Sequence, residues 1–142
     1  MRLQQLENLA STGQLKKEPP AAAEFNGLLT AGRAKLKDAG TQSLSLESRF
    51  DLAYNAAHAL ALAALRWHGY RSENRFAVFQ CLVHTIELPQ AQMRILSDAH
   101  GKRNRAEYEG AMDVTGSMVD SIVSATKMVL AGVEKLGPIK KA

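Results

Sequence analysis

The sequence predicts an all-α protein, an up-and-down bundle of about five helices, and three observations lead there. Apolar residues recur at steps of three and four through most of the chain, as in Met118, Ile122, Ala125, Val129, Val133 and Leu136, which is the period of one helical face. No alternating apolar and polar run of strand length occurs, and the four prolines fall near the ends of the periodic segments. The connections are short, which makes neighbouring helices antiparallel. With 142 residues, 46% hydrophobic and 23% charged, the chain has the size and composition of one globular domain that needs no metal or disulfide to hold its core.

Leu3, Leu6 and Leu9 or Ala10 have helical spacing, so residues 2–11 read as a short leading helix. Ser11 to Pro20 contains turn formers and a proline pair and reads as a loop or linker. Residues 1–20 are therefore set apart from the bundle proper, residues 21–137. Its first helix runs from Ala21 to about Asp38 through Phe25, Leu28, Leu29 and Leu36, and stops at Gly40. The longest helix starts near Ser45, a good N-cap, with Glu47 placed to favour the helix dipole. One stripe there runs Leu46, Phe50, Ala53, Ala57, Leu60 and Ala64, and a second Leu52, Ala56, Ala59 and Ala63. A helix apolar nearly all round belongs at the centre of a bundle, and its alanines let neighbours come close.

Gly69 to Ser72 closes this helix, and Ser72 is placed to cap another with Phe76, Phe79, Val83 and Ile86 on one face. Pro89 ends it and opens the next helix, from about Gln90 to Glu109, which Gly110 stops. The Met118 to Leu136 helix follows and ends at Gly137-Pro138, leaving residues 138–142 as a basic tail. Met112, Met118 and Met128 read as core filler, and Trp67 as an interface anchor or a core-edge residue.

The longest apolar run, Ala59 to Leu65, is far short of the ~20 residues that span a bilayer. The amino-terminal residues lack the apolar segment of a secretory signal, and the single cysteine, Cys81, allows no internal disulfide, so a reducing, cytoplasmic setting is expected. Cys81 itself reads as a small buried apolar residue. A net charge of +4 and a pI near 9.4 favour a polyanionic partner. The basic residues cluster at Lys102 to Arg105 and from Lys135 to Lys141. No phosphate loop, dinucleotide fingerprint or CxxC pair is present, and His84 with Cys81 three residues earlier is too small a set for a metal site. Neither a cofactor nor a metal is expected.

The chemically richest stretch is His100 to Tyr108. On a helix, His100, Arg103, Asn104, Glu107 and Tyr108 form one stripe, with neighbours about 5–6 Å apart between Cβ atoms. Its plainest reading is a solvated face with an Arg103–Glu107 pair. Gly101 argues for more, because glycine costs about 1 kcal/mol in a helix interior and often marks the close approach of another backbone or a ligand. On the long helix, Tyr54 and His58 stand four residues apart, either packed with satisfied polar tips or facing Arg103 across a cleft.

A helix carrying His100-x-x-Arg103-Asn104-x-x-x-Tyr108-x-Gly110, preceded by Ser48-Arg-Phe-Asp-Leu-Ala-Tyr-Asn-Ala-Ala-His58 on the long helix, resembles the HEPN superfamily of small helical domains associated with nucleotides and RNA. The likeness covers roughly residues 20–136. It implies a HEPN-like bundle, a homodimer, and a site in which Arg103 and Asn104 match the first two positions of the family's R-N-x-x-x-H motif. Tyr108 stands where that motif has its catalytic His. A phenol with a pKa of about 10 is protonated at neutral pH, whereas an imidazole near 6.5 is poised for proton transfer, so Tyr108 does not simply replace it. His100, one turn from Arg103, is the other candidate.

The family's partner chemistry, adenylylation of a motif tyrosine by a cognate nucleotidyltransferase, falls here on Gly110. The reading is therefore a catalytically degenerate module that binds a nucleotide, RNA or a cognate protein through Lys102, Arg103, Asn104, Arg105, Tyr54 and His58. The alternatives are a metal-independent endoribonuclease of toxin–antitoxin type, with Arg103, His100 and Tyr108 as catalytic candidates, and a purely structural dimerisation bundle.

Overall fold

The centre of the molecule is set by the helix that the sequence makes apolar on almost every side. In the computed structural model, which describes residues 2–110 and 113–139 and the side chains of all of these except Arg2, Glu107 and Tyr108, the elements follow in order. They are α1 (Arg2–Ser11), β1 (Lys16–Lys17), α2 (Ala22–Ala39), α3 (Leu46–Trp67), β2 (Tyr70–Arg71), α4 (Arg75–Gln80), α5 (Leu82–Thr85), α6 (Gln90–Glu109) and α7 (Gly116–Leu136). The fold is an all-α, mostly up-and-down bundle. Counting α5 as a single helical turn, the described residues hold six helices rather than about five.

Helix α3 touches α2, α4, α5, α6 and α7. Phe50, Ala53, Ala57, Leu60 and Ala64 are buried as their spacing predicts, while Leu46, in the first turn, is 38% exposed. Close packing is supplied by glycine as well as alanine. A Cβ built on Gly32 of α2 would lie 2.5 Å from the Leu60 side chain, and one on Gly132 of α7 would lie 2.8 Å from Ile86.

The helix ends follow local chemistry. Ser45 Oγ accepts the Ser48 N–H at 3.1 Å, Asn74 Oδ1 accepts the Ala77 N–H at 3.1 Å, and Thr115 Oγ1 accepts the Met118 N–H at 3.2 Å, each satisfying an otherwise orphaned donor. Gly110 closes α6 in the left-handed region, φ 76°, where glycine avoids the Cβ clash. At the other end of α2, the buried Arg49 donates from Nε to the Ala39 carbonyl at 2.8 Å. Trp67 Nε1 donates to the Gly137 carbonyl at 3.1 Å, joining the ends of α3 and α7.

Four expectations are corrected. The cap of α4 is Asn74, with Ser72 Oγ accepting the Asn74 N–H instead. The helix expected across 72–88 breaks at Cys81, whose carbonyl takes the N–H groups of both His84 and Thr85. Phe76 lies in the first turn beyond the edge of the core and is 47% exposed. Of the methionines read as core filler, Met128 is 42% exposed and Met118 partly so; Met112 lies outside the described residues.

Residues 15–20 also do something that periodicity cannot show, because a two-residue strand is too short to have a period. β1 pairs antiparallel with β2, Lys16 opposite Arg71 and Lys17 opposite Tyr70. Leu6 and Leu15 enter the core. Beside the ladder, Arg66 of α3 is 1% exposed and held by Glu24 Oε1 at 2.6 Å, by Glu18 Oε2 at 3.3 Å and by the carbonyls of Glu18, Pro19 and Tyr70. Arg71 reaches the same two carboxylates. A guanidinium so deeply buried is tolerable only when paired and fully hydrogen-bonded. Hydrogen bonds from Arg66 and Arg71 hold the Glu24 carboxyl below its ordinary range. Tyr70 donates to Glu7 at 2.7 Å, and this bond, ahead of burial, raises the phenol to about 12. No helix among the described residues is long and apolar enough to cross a membrane.

Candidate functional site

Helix α6 begins apolar and ends polar, so its first half is anchored while its second half presents side chains. Met93, Leu96 and Ala99 are buried. His100 follows on the side that faces α3 and α4, where Phe79 of α4, fully buried, forms an aromatic floor. The Phe79 ring lies 5.9 Å from Tyr54, 6.0 Å from His58 and 6.4 Å from His100.

Tyr54 and His100 meet across the α3–α6 interface. The rings stack at 6.1 Å with 16° between planes, and Tyr54 Oη lies 2.8 Å from His100 Nδ1. On the other side of the imidazole, Asn104 Nδ2 lies 3.2 Å from Nε2. Tyr54 and Asn104 thus bracket the imidazole, one at each ring nitrogen, and which nitrogen donates follows from the tautomer and the orientation of the Asn104 amide.

Arg103, one turn along, sits 3.1 Å through Nε from Asp51 Oδ1 of α3, with the two side chains 35% and 37% exposed. Although shielded from solvent, Oδ1 makes no hydrogen bond, so the contact is one of charge without donor alignment. A half-exposed pair of this kind is worth at most ~1 kcal/mol, and a better-aligned anion can displace it at small cost.

Arg75, the first residue of α4, donates from Nη1 to Asn55 Oδ1 at 3.1 Å and lies over the Tyr54 ring, 5.5 Å from its centroid. Burial first, then the charges of Arg75 and His100, push His58 down to about 4, so it is neutral at neutral pH and cannot serve as a cationic phosphate contact.

The sequence-predicted residues thus separate into groups. Tyr54, His100, Asn104 and Arg103 come together, with His58 behind them. Lys102 points to the other side of α6, where it lines a cleft of about 220 Å³ against α7 with Asp98, Ser117 and Ser121. Arg105 is exposed. Tyr108 has a place on α6, but its side chain lies outside the described residues, as do Lys140 and Lys141 of the tail. Gly101 meets no atom within 4 Å of a built Cβ, so no neighbouring backbone explains it.

Asp51, Asn55 and Arg75 were missed by sequence reasoning. The available signal was Asp51 and Asn55 one turn apart on the central helix, most of which is buried, where polar side chains need partners. Among the described residues no group of three His, Cys, Asp or Glu side chains could hold a metal ion. Searches against known protein families, curated proteins and solved structures find no match to this chain.

Proposed function

We propose that the chain is a HEPN-like helical module that binds RNA through the cluster on α3, α4 and α6, with its catalytic machinery degenerate. The observation behind this reading is the Arg103 guanidinium, held among the described residues by a half-exposed charge contact to Asp51, next to an imidazole placed between Tyr54 and Asn104. A phosphate offers Arg103 the bidentate partner that Asp51 does not. The net charge of +4 favours approach of a polyanion. The test is binding of a short single-stranded RNA by fluorescence anisotropy. Arg103→Ala is expected to weaken it at least tenfold and Lys16→Ala by less than twofold; equal losses would reduce the interaction to non-specific charge.

A second reading, metal-independent RNA cleavage, is favoured by one feature: His100, contacted at both ring nitrogens, lies within a turn of Arg103. The two readings separate on incubation with RNA in EDTA, where a binding module leaves the RNA intact. In the resembled motif the imidazole stands at the Tyr108 position, so Tyr108→His is expected to add cleavage that Arg103→Ala removes. The homodimer implied by the resemblance is checked by light scattering. A species of only 15.5 kDa at tens of micromolar would exclude it.

A further inference from the structure

We infer that Arg75 is a second phosphate contact, and that the ligand is a single RNA strand whose adjacent phosphates are met by Arg75 and Arg103. The inference rests on the RNA-binding reading above and adds the number of phosphates and the residue that meets the second one.

Asp51 and Asn55 stand four residues apart on α3, so their side chains are neighbours at about 5–6 Å between Cβ atoms. Each holds an arginine from a different helix: Asp51 the Arg103 of α6, Asn55 the Arg75 of α4. Asn55 is itself oriented, because its amide nitrogen donates to the Asp51 carbonyl at 2.9 Å and leaves Oδ1 turned to Arg75. The anchors of the two guanidinium groups are therefore one turn of α3 apart, with Arg75 over the Tyr54 ring that stacks on His100, and Arg103 three residues beyond His100 on α6.

The two arginines differ in their partners. Asp51 partly offsets the charge of Arg103, whereas Asn55 is neutral, and among the described residues no carboxylate pairs with Arg75. An arginine cannot shed its proton to relieve the repulsion of a neighbouring cation. Two cations anchored one turn apart on α3 repel each other until an anion arrives, and two phosphates offset the repulsion better than one. The cation–π contact with Tyr54 and the bond to Asn55 keep Arg75 in position without neutralising it.

The experiment is the salt dependence of binding of a single-stranded RNA octamer, because each phosphate contact on a single strand contributes about 0.7 to the slope of log K against log salt. Arg75→Gln and Arg103→Gln are each expected to flatten the slope by about 0.7, and the double variant by about 1.4. Arg33→Gln serves as control, since Arg33 is exposed and paired with Glu134 on the α2–α7 side, and it should leave the slope unchanged. Arg75→Lys, which keeps the charge, should keep the slope and shows that any loss in Arg75→Gln is not one of folding.

If Arg103→Gln flattens the slope and Arg75→Gln does not, the second contact is wrong and RNA binding by Arg103 stands. If neither variant changes it, the RNA-binding reading itself falls. ADP and AMP are expected to displace the octamer equally poorly. Displacement by ADP at least tenfold better than by AMP would overturn the strand and assign the two phosphates to a nucleoside diphosphate.

Discussion

His58 shows how a residue with site-like neighbours can still be a fold residue. It lies edge-on to Phe79 at 78°, and burial lowers its pKa from the ordinary 6.5 to about 4. Between those values the unfolded chain binds the proton and the folded chain does not, so stability rises with pH across this window and is lost as pH falls through it. The loss approaches ~3 kcal/mol at full protonation, reduced by the part of the ring that stays wet. Urea titrations between pH 6.5 and 4.5 are expected to show this slope in the native chain and a flatter one in His58→Phe. At this scale the sequence was legible along one helix: the spacing of His100, Arg103 and Asn104 put them on one stripe, as found. It could not show what the opposing helices bring, which is why Asp51, Asn55 and Arg75 went unread, and why Lys102, adjacent to Arg103, was grouped with a site it faces away from.

The helices themselves were legible where a cap and a period agree. Ser45 and the stripe through Phe50, Ala57 and Leu60 define α3 in the sequence, and Val129 and Val133 define α7. The break at Cys81 was not, because the apolar spacing runs on through it and only the turn of the His84 N–H to the carbonyl three residues back, which Thr85 N–H shares, reveals it. The glycines separate the two kinds of information further. Gly32 and Gly132 look like helix weaknesses in sequence, but each is a contact point where a methyl group has no room. Gly101 looks like a contact point and has open space around it. Gly32→Ala and Gly132→Ala are therefore expected to destabilise the fold by about 1–3 kcal/mol through overpacking. Gly101→Ala should stabilise it by up to ~1 kcal/mol through helix propensity. Thermal unfolding of the three variants checks the opposite signs. If Gly101→Ala also weakens RNA binding while raising the melting temperature, the open space beside it is ligand space.

Across the whole molecule, the amino-terminal segment is joined to the bundle by charge as much as by apolar packing. Composition read residues 11–20 as a linker, since proline pairs and lysines have no period to betray a partner. The partner, Arg66, sits in the last turns of a helix that otherwise reads as pure core. Glu24→Ala removes one carboxylate from a guanidinium that is 1% exposed. Glu18 and three carbonyls remain, so the cost is expected near 2 kcal/mol rather than the ~3–5 kcal/mol of a fully broken buried pair, as measured by urea unfolding near pH 7. Enclosure of a second group, beside the amino-terminal segment, has a practical side. Cys81, the single cysteine of the chain, is buried, and burial lifts its thiol to about 11, so almost no thiolate exists at neutral pH to attack a maleimide. The native protein is expected to be silent toward such reagents, so that a cysteine placed at exposed Arg105 on α6 becomes the one handle to which a fluorophore or spin label couples.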